Sequence, residues 1–156
     1  MKRILVIISC IAACASEAMA QKLTSADVKE LVNSKSYSFE AQTATPSAGR
    51  LKQLTPGYAL KLTGDSLIAH LPYFGKAYTA SLNPSDVGIN VVTTDFDYQV
   101  SEGKKNRYEV SLRSKDKTYN ADFNLTVYDN GTAYLQVISP DRQPISYNGY
   151  IQAIKK

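Results

Sequence analysis

Hydrophobic and polar residues alternate with a period of two along most of the chain downstream of Ser36. The last third shows this best. Tyr108, Val110 and Leu112 alternate with Glu109, Ser111 and Arg113. Tyr119, Ala121, Phe123, Leu125 and Val127 alternate with Asn120, Asp122, Asn124 and Thr126. Ala133, Leu135 and Val137 follow, and a final run covers Ile145 to Ile154. Successive side chains of a strand point to opposite faces, so this rhythm predicts strands with one face buried and one wet. Such strands pair antiparallel, since parallel sheets are buried on both faces.

Upstream, Tyr37, Phe39 and Ala41 predict a strand, and Thr45 to Leu54 reads as a loop around Pro46 and Gly49. Tyr58 to Leu62 and Ser66 to Leu71 predict a hairpin about Gly64-Asp65. Asn83 to Gly88 reads as a loop, with shorter strands at Ile89 to Thr93 and Phe96 to Val100. Turns are expected at Gly103 to Asn106, Lys115 to Lys117, Asp129-Asn130-Gly131 and Ser139 to Pro144. One segment has a helical period instead. Thr24 with Asp27 forms a capping-box pattern, Leu23 with Val28 a hydrophobic staple, and Val28, Leu31 and Val32 share a face. A short helix is predicted at about 25–33. The expected fold is mainly β: an antiparallel meander of roughly eight or nine strands forming a small barrel or a two-sheet sandwich, with one N-terminal helix.

The first twenty residues have another logic. Lys2 and Arg3 precede the uncharged apolar run Ile4 to Cys14, and Ala18-Met19-Ala20 offers small residues for cleavage. This is the layout of a secretory signal peptide, too short to span a membrane as a helix. The expected organisation is therefore a leader over 1–20 and one domain over 21–156, released to the periplasm or secreted. Ile11-Ala12-Ala13-Cys14 also matches a lipobox, so a lipid anchor at Cys14 is the competing route. Ordinary cleavage fits better. Both cysteines, Cys10 and Cys14, lie in the leader, so cleavage at Ala20 leaves no disulfide or thiol chemistry.

Composition then narrows the function classes. Net charge is +4 for the chain, and loss of Lys2, Arg3 and Glu17 leaves +3. That mild balance does not indicate a nucleic-acid partner. Eleven tyrosines with no tryptophan suit half-buried strands, and also carbohydrate or peptide surfaces.

Four stretches resemble the DUF4251 family of uncharacterised exported bacterial proteins: Tyr37 to Ala41, Gly57 to Leu60, Leu71 to Tyr78 and Arg142 to Gly149. The resemblance covers nearly the whole mature chain. It implies a small secreted or lipid-anchored β protein with no assigned activity, and it transfers no catalytic residue.

Candidate chemistry is sparse. His70 is the single histidine and no G-x-S-x-G elbow is present, so no hydrolytic triad is expected. Asp95 with Asp97 on one strand face, and Asp129-Asn130-Gly131, lack the convergence or spacing of a metal site. No cofactor or metal is expected. Lys104, Lys105 and Arg107, with Arg113, Lys115 and Lys117, give basic turns at adjacent strand ends, read as solvated. Leu71 to Tyr78 is the segment that folding explains least. It sets Tyr73, Phe74 and Tyr78 around Pro72 and Gly75 outside the alternation. With Arg142 and Tyr147 these form the candidate ligand or partner surface. For the segment itself a plug fits better, with the aromatics closing one end of the barrel and Arg142 capping carbonyls or pairing with a carboxylate. The function expected is a non-enzymatic envelope module that binds a small apolar or amphipathic ligand or a protein partner. A structural or assembly module is the alternative. A hydrolase of envelope polymers, resting on Asp95 and Asp97, is the weakest.

Overall fold

The computed structural model describes residues 23–78, 88–104, 106–115 and 120–154. The leader reading, with Cys14 and Ala20, lies outside the described residues. So do most of the Asn83 to Gly88 loop, Tyr119, Lys105, and the turn residues Asp116 and Lys117.

Thr24 caps α1 (Ser25–Ser34) by the expected box: its side chain accepts from Asp27 N–H, and the Asp27 carboxylate accepts from Thr24 N–H at 2.8 Å. Lys35 ends the helix at positive φ. Val28 and Val32 are fully buried, worth about 1.5–3 kcal/mol each.

The strands are β1 (Ser36–Pro46), β2 (Lys52–Gln53), β3 (Ala59–Thr63), β4 (Ser66–Pro72), β5 (Gly88–Thr93), β6 (Phe96–Gly103), β7 (Arg107–Ser114), β8 (Asp122–Tyr128), β9 (Thr132–Ser139) and β10 (Arg142–Ala153). They form one sheet in the order β5-β4-β3-β1-β10-β9-β8-β7-β6, with β2 pairing β1 off that path. Every ladder is antiparallel. The path ends are β5 and β6, yet only Thr94 and Asp95 join them in the chain. The sheet must therefore curl until its edges converge, giving a half-barrel rather than two stacked sheets.

Helix α1 runs across one end of the curl. Leu23 lies against Gly131 of the β8–β9 turn. Lys35 C=O, past the other helix end, accepts from Gly64 N–H of the β3–β4 turn at 2.9 Å. Tyr98 on the edge strand β6 donates its hydroxyl to Val32 C=O at 2.7 Å. The predicted inward set, including Phe39, Leu60, Leu112, Phe123, Leu125 and Leu135, fills the concave side, and Tyr147, expected on the binding surface, is buried there with them. Among the described residues no helix is long and apolar enough to cross a membrane.

Two boundaries differ from expectation. The Thr45 to Leu54 loop is shorter, because β1 continues to Pro46 and Lys52–Gln53 pairs with it. A register shift between Ala41 and Thr43 moves the inward parity from odd to even positions, so Ala44 and Pro46 face in. Alternation breaks at such a bulge, and a periodicity reading stops there. The Ser139 to Pro144 turn contracts to Pro140-Asp141, since Arg142, Gln143 and Pro144 already belong to β10.

Tyr37 adds a pH-dependent element. Burial in the core, with the Tyr98 hydroxyl beside it, pushes its hydroxyl well above the ordinary tyrosine value. Folding therefore favours the neutral phenol. The stability this contributes is complete below about pH 10, where an unfolded tyrosine titrates, and is lost as pH rises beyond it. Tyr37→Phe should raise the midpoint of alkaline unfolding followed by circular dichroism; an unchanged midpoint would remove Tyr37 as the cause.

Candidate functional site

The rim opposite α1 holds the aromatic segment. Pro72 ends β4, and Tyr73 to Tyr78 crosses to the start of β10. There the β9–β10 register shifts between Arg142 and Ile145. Pro144 has no N–H to offer a ladder, so a bulge is the natural arrangement. The bulge frees Gln143 to bond outward: Gln143 N–H donates to Lys76 C=O at 3.0 Å, and its side-chain oxygen accepts from Lys76 N–H at 3.3 Å. Tyr78 N–H donates to Asp141 C=O at 2.7 Å, and Ala77 bridges to Arg142. Residues 73–78 thus behave as an added strap on β10.

Three of the five predicted side chains hold this strap. Tyr73 directs its hydroxyl at Lys76 C=O and Gln143 C=O, each at 2.9 Å, so one proton serves two carbonyls. Partial burial raises the Tyr73 hydroxyl above its ordinary value, against the pull of the Arg142 guanidinium. Arg142 donates Nη1–H to Gly88 C=O at 3.0 Å and places its guanidinium carbon 5.1 Å from the Tyr73 ring centre. Its Nη2 lies 3.7 Å from the Asp141 carboxylate. A charge this buried needs such partners. Tyr147, fully buried, donates its hydroxyl to Pro72 C=O at 2.6 Å.

The other two point outward. Phe74 is 39% exposed and Tyr78 67%. The Lys52 ammonium lies 5.1 Å from the Phe74 ring centre, and neighbouring Leu51 is also exposed. The strap therefore divides the predicted set: Tyr73, Arg142 and Tyr147 face the protein, while Phe74 and Tyr78 face solvent.

The remaining candidates lie apart from this rim. His70 sits on the outer sheet face, with Nδ1 2.6 Å from Asn90 Oδ1 and its ring stacked on Tyr58. Asp95 lies in the β5–β6 turn and only Asp97 is on β6, so they do not share a strand face. Asp97 pairs with Lys115 at 2.7 Å. Among the described residues no three His, Cys, Asp or Glu side chains converge as metal ligands. The basic turns are not adjacent: Arg107 and Arg113 stand toward opposite ends of β7, about 20 Å apart at ~3.3 Å per residue. Arg113 pairs with Asp122, and Arg107 with Glu109.

Sequence reasoning missed Gln143 and Asp141 as the backbone partners of the strap, and Gly88 as the carbonyl that Arg142 holds. Pro144, just before the alternating run from Ile145, was the available signal, since a strand proline marks a bulge. It also missed the outer face of β6 to β8. There Gln99, Ser101, Glu109, Ser111, Asn124 and Thr126 line an open groove of about 390 Å³, with Val110 and Leu125 beneath.

A family model described as a domain of unknown function, DUF4251, matches residues 19–151. The chain is similar to the crystal structure of a DUF4251 family protein from Bacteroides eggerthii DSM 20697, with a TM-score of 0.62 at 12% identity, covering 83% of this chain and 87% of that one. At that identity the likeness speaks for the fold. No curated protein matches the chain.

Proposed function

The chain belongs to the DUF4251 family, and from that premise we propose that it is an exported envelope module that works by binding a protein partner through the strap rim. One observation carries this reading. Tyr73, Arg142 and Tyr147 are committed to internal bonds, and what they hold in place is a pair of outward aromatics, Phe74 and Tyr78. Aromatic side chains on a rigid support are effective protein anchors, because little conformational entropy remains to be lost on binding. A small apolar ligand inside the curl fits less well, since Phe39, Phe123, Tyr37 and Tyr147 already occupy the concave side. Export rests on the leader-like residues 1–20, and release near Ala20 is the route they favour.

Photo-cross-linkers placed at 74 and at 78 in cells should trap one common protein that a cross-linker at exposed Lys61 on β3 does not trap. Phe74→Ser with Tyr78→Ser should abolish that adduct while leaving the thermal midpoint nearly unchanged, both side chains being outside the core. Identical patterns from all three positions would defeat the reading. Recovery of the chain from cytosol with Met1 intact would defeat the export half.

A further inference from the structure

The outer face of the sheet carries a feature that pairing register alone makes visible. Gln99, Ser111, Asn124, Gln136, Ser146 and Thr45 are direct cross-strand neighbours from β6 to β1, one per strand. The adjoining row contains Ser101, Glu109, Thr126, Tyr134, Asn148 and Thr43. Every residue is an amide or a hydroxyl except Glu109, and Arg107 pairs with that carboxylate at 2.8 Å. Ordinary protein surfaces carry about 25–35% charged residues, so two rows of this length would normally hold several. The charges lie just outside the stripe instead. Asp97, Arg113 and Asp122 form the next row on one side, and Arg107 and Glu40 stand on the other.

We propose that this stripe is a binding site for a neutral polysaccharide chain, seated in the groove over β6, β7 and β8 and continuing across β9 and β10. Asparagine and glutamine amides, like hydroxyls, both donate and accept, and so match the hydroxyls of an uncharged sugar. An acidic polymer would call for lysine or arginine in the stripe, and a lipid for an apolar surface. Protein hot spots favour tryptophan, tyrosine and arginine, of which the two rows hold Tyr134 alone. The groove, at about 390 Å³, has the size of a small-ligand site. The stripe is also partly ordered in advance. Tyr134 donates its hydroxyl to Ser146 Oγ at 2.6 Å, Ser111 donates to Asn124 Oδ1 at 3.4 Å, and Asn148 Nδ2 donates to Thr43 Oγ1 at 3.4 Å. Side chains already held in place lose less entropy when a ligand arrives.

The test is a nuclear magnetic resonance titration of the purified chain with cellohexaose, maltohexaose and mannohexaose, and with hexagalacturonate as the acidic comparison, at millimolar concentration. At least one neutral oligomer should shift the side-chain amide signals of Gln99, Asn124 and Gln136, and the acid should not. Asn124→Ala with Gln136→Ala should weaken that binding by about tenfold or more, with the fold retained because both side chains lie outside the core. The proposal is overturned if no neutral hexasaccharide shifts those amides, if hexagalacturonate binds more strongly, or if the double variant binds as tightly. Should the double variant not fold, the position of the shifts on the unaltered chain decides the matter. Phe74→Ser and Tyr78→Ser lie on the rim and should leave the titration unaffected, so this proposal and the rim reading fail separately.

Discussion

Gly149→Ala should yield a chain that does not reach the native state. Gly149 of β10 faces Ala41 of β1 at the point where the β1 register shifts. A Cβ at 149 would overlap the carbonyl oxygen of Glu40 and crowd the Ala41 backbone. The obstacle is main chain in the central ladder, so no rotamer change relieves it. Separating β1 from β10 there would strain the longest pairing in the sheet. The expected cost exceeds about 4 kcal/mol, against a total stability of about 5–15 kcal/mol for domains of this kind. Gly103→Ala is the comparison. Its Cβ would meet the Arg107 side chain at 2.9 Å, and that flexible chain can swing away. Circular dichroism and soluble yield should separate the two variants sharply. A Gly149→Ala protein with near-normal melting would show that the β1–β10 ladder yields more readily than its geometry implies.

Tyr147→Ala should cost about 3–5 kcal/mol, the range for removing a fully buried aromatic. The ring belongs to the core cluster and the hydroxyl ties β10 to Pro72 at the end of β4. Tyr147→Phe keeps the ring and removes the hydroxyl, leaving Pro72 C=O without this donor. Its cost should be about 1–3 kcal/mol. The difference between the two variants in urea unfolding therefore isolates packing from hydrogen bonding. Equal losses would mean that the bond, not the ring, dominates. Because Pro72 leads directly into the strap, Tyr147→Phe should also increase amide exchange at Lys76 and Tyr78 before it affects β7 or β8.

The rim was partly legible in the sequence for a physical reason. A stretch that departs from period two, with Pro72 and Gly75 among aromatics, cannot be an ordinary half-buried strand. The departure located the segment. It could not say that Tyr73 turns inward while Phe74 turns outward, because that follows from the bulge at Arg142 to Ile145 and from the bonds Gln143 makes to Lys76. The same holds for Asp95 and Asp97. Two-residue spacing placed them on one face only if both belonged to the strand, and β6 begins at Phe96.

Local residue order was enough to set which residues turn inward along most strands, where α1 starts, and the tight turns at Gly64-Asp65 and Asp129 to Gly131. These are local matters: side-chain alternation, a capping hydroxyl three residues from its partner, and glycines at positive φ. Tertiary structure alone decided that β1 sits between β3 and β10, that the path ends meet across two residues, and that neutral side chains from six strands line up in one row. Alternation tells a strand which face is apolar but not which strand lies beside it. That choice belongs to long-range pairing, where the register satisfying the backbone bonds also sets which outer side chains become neighbours.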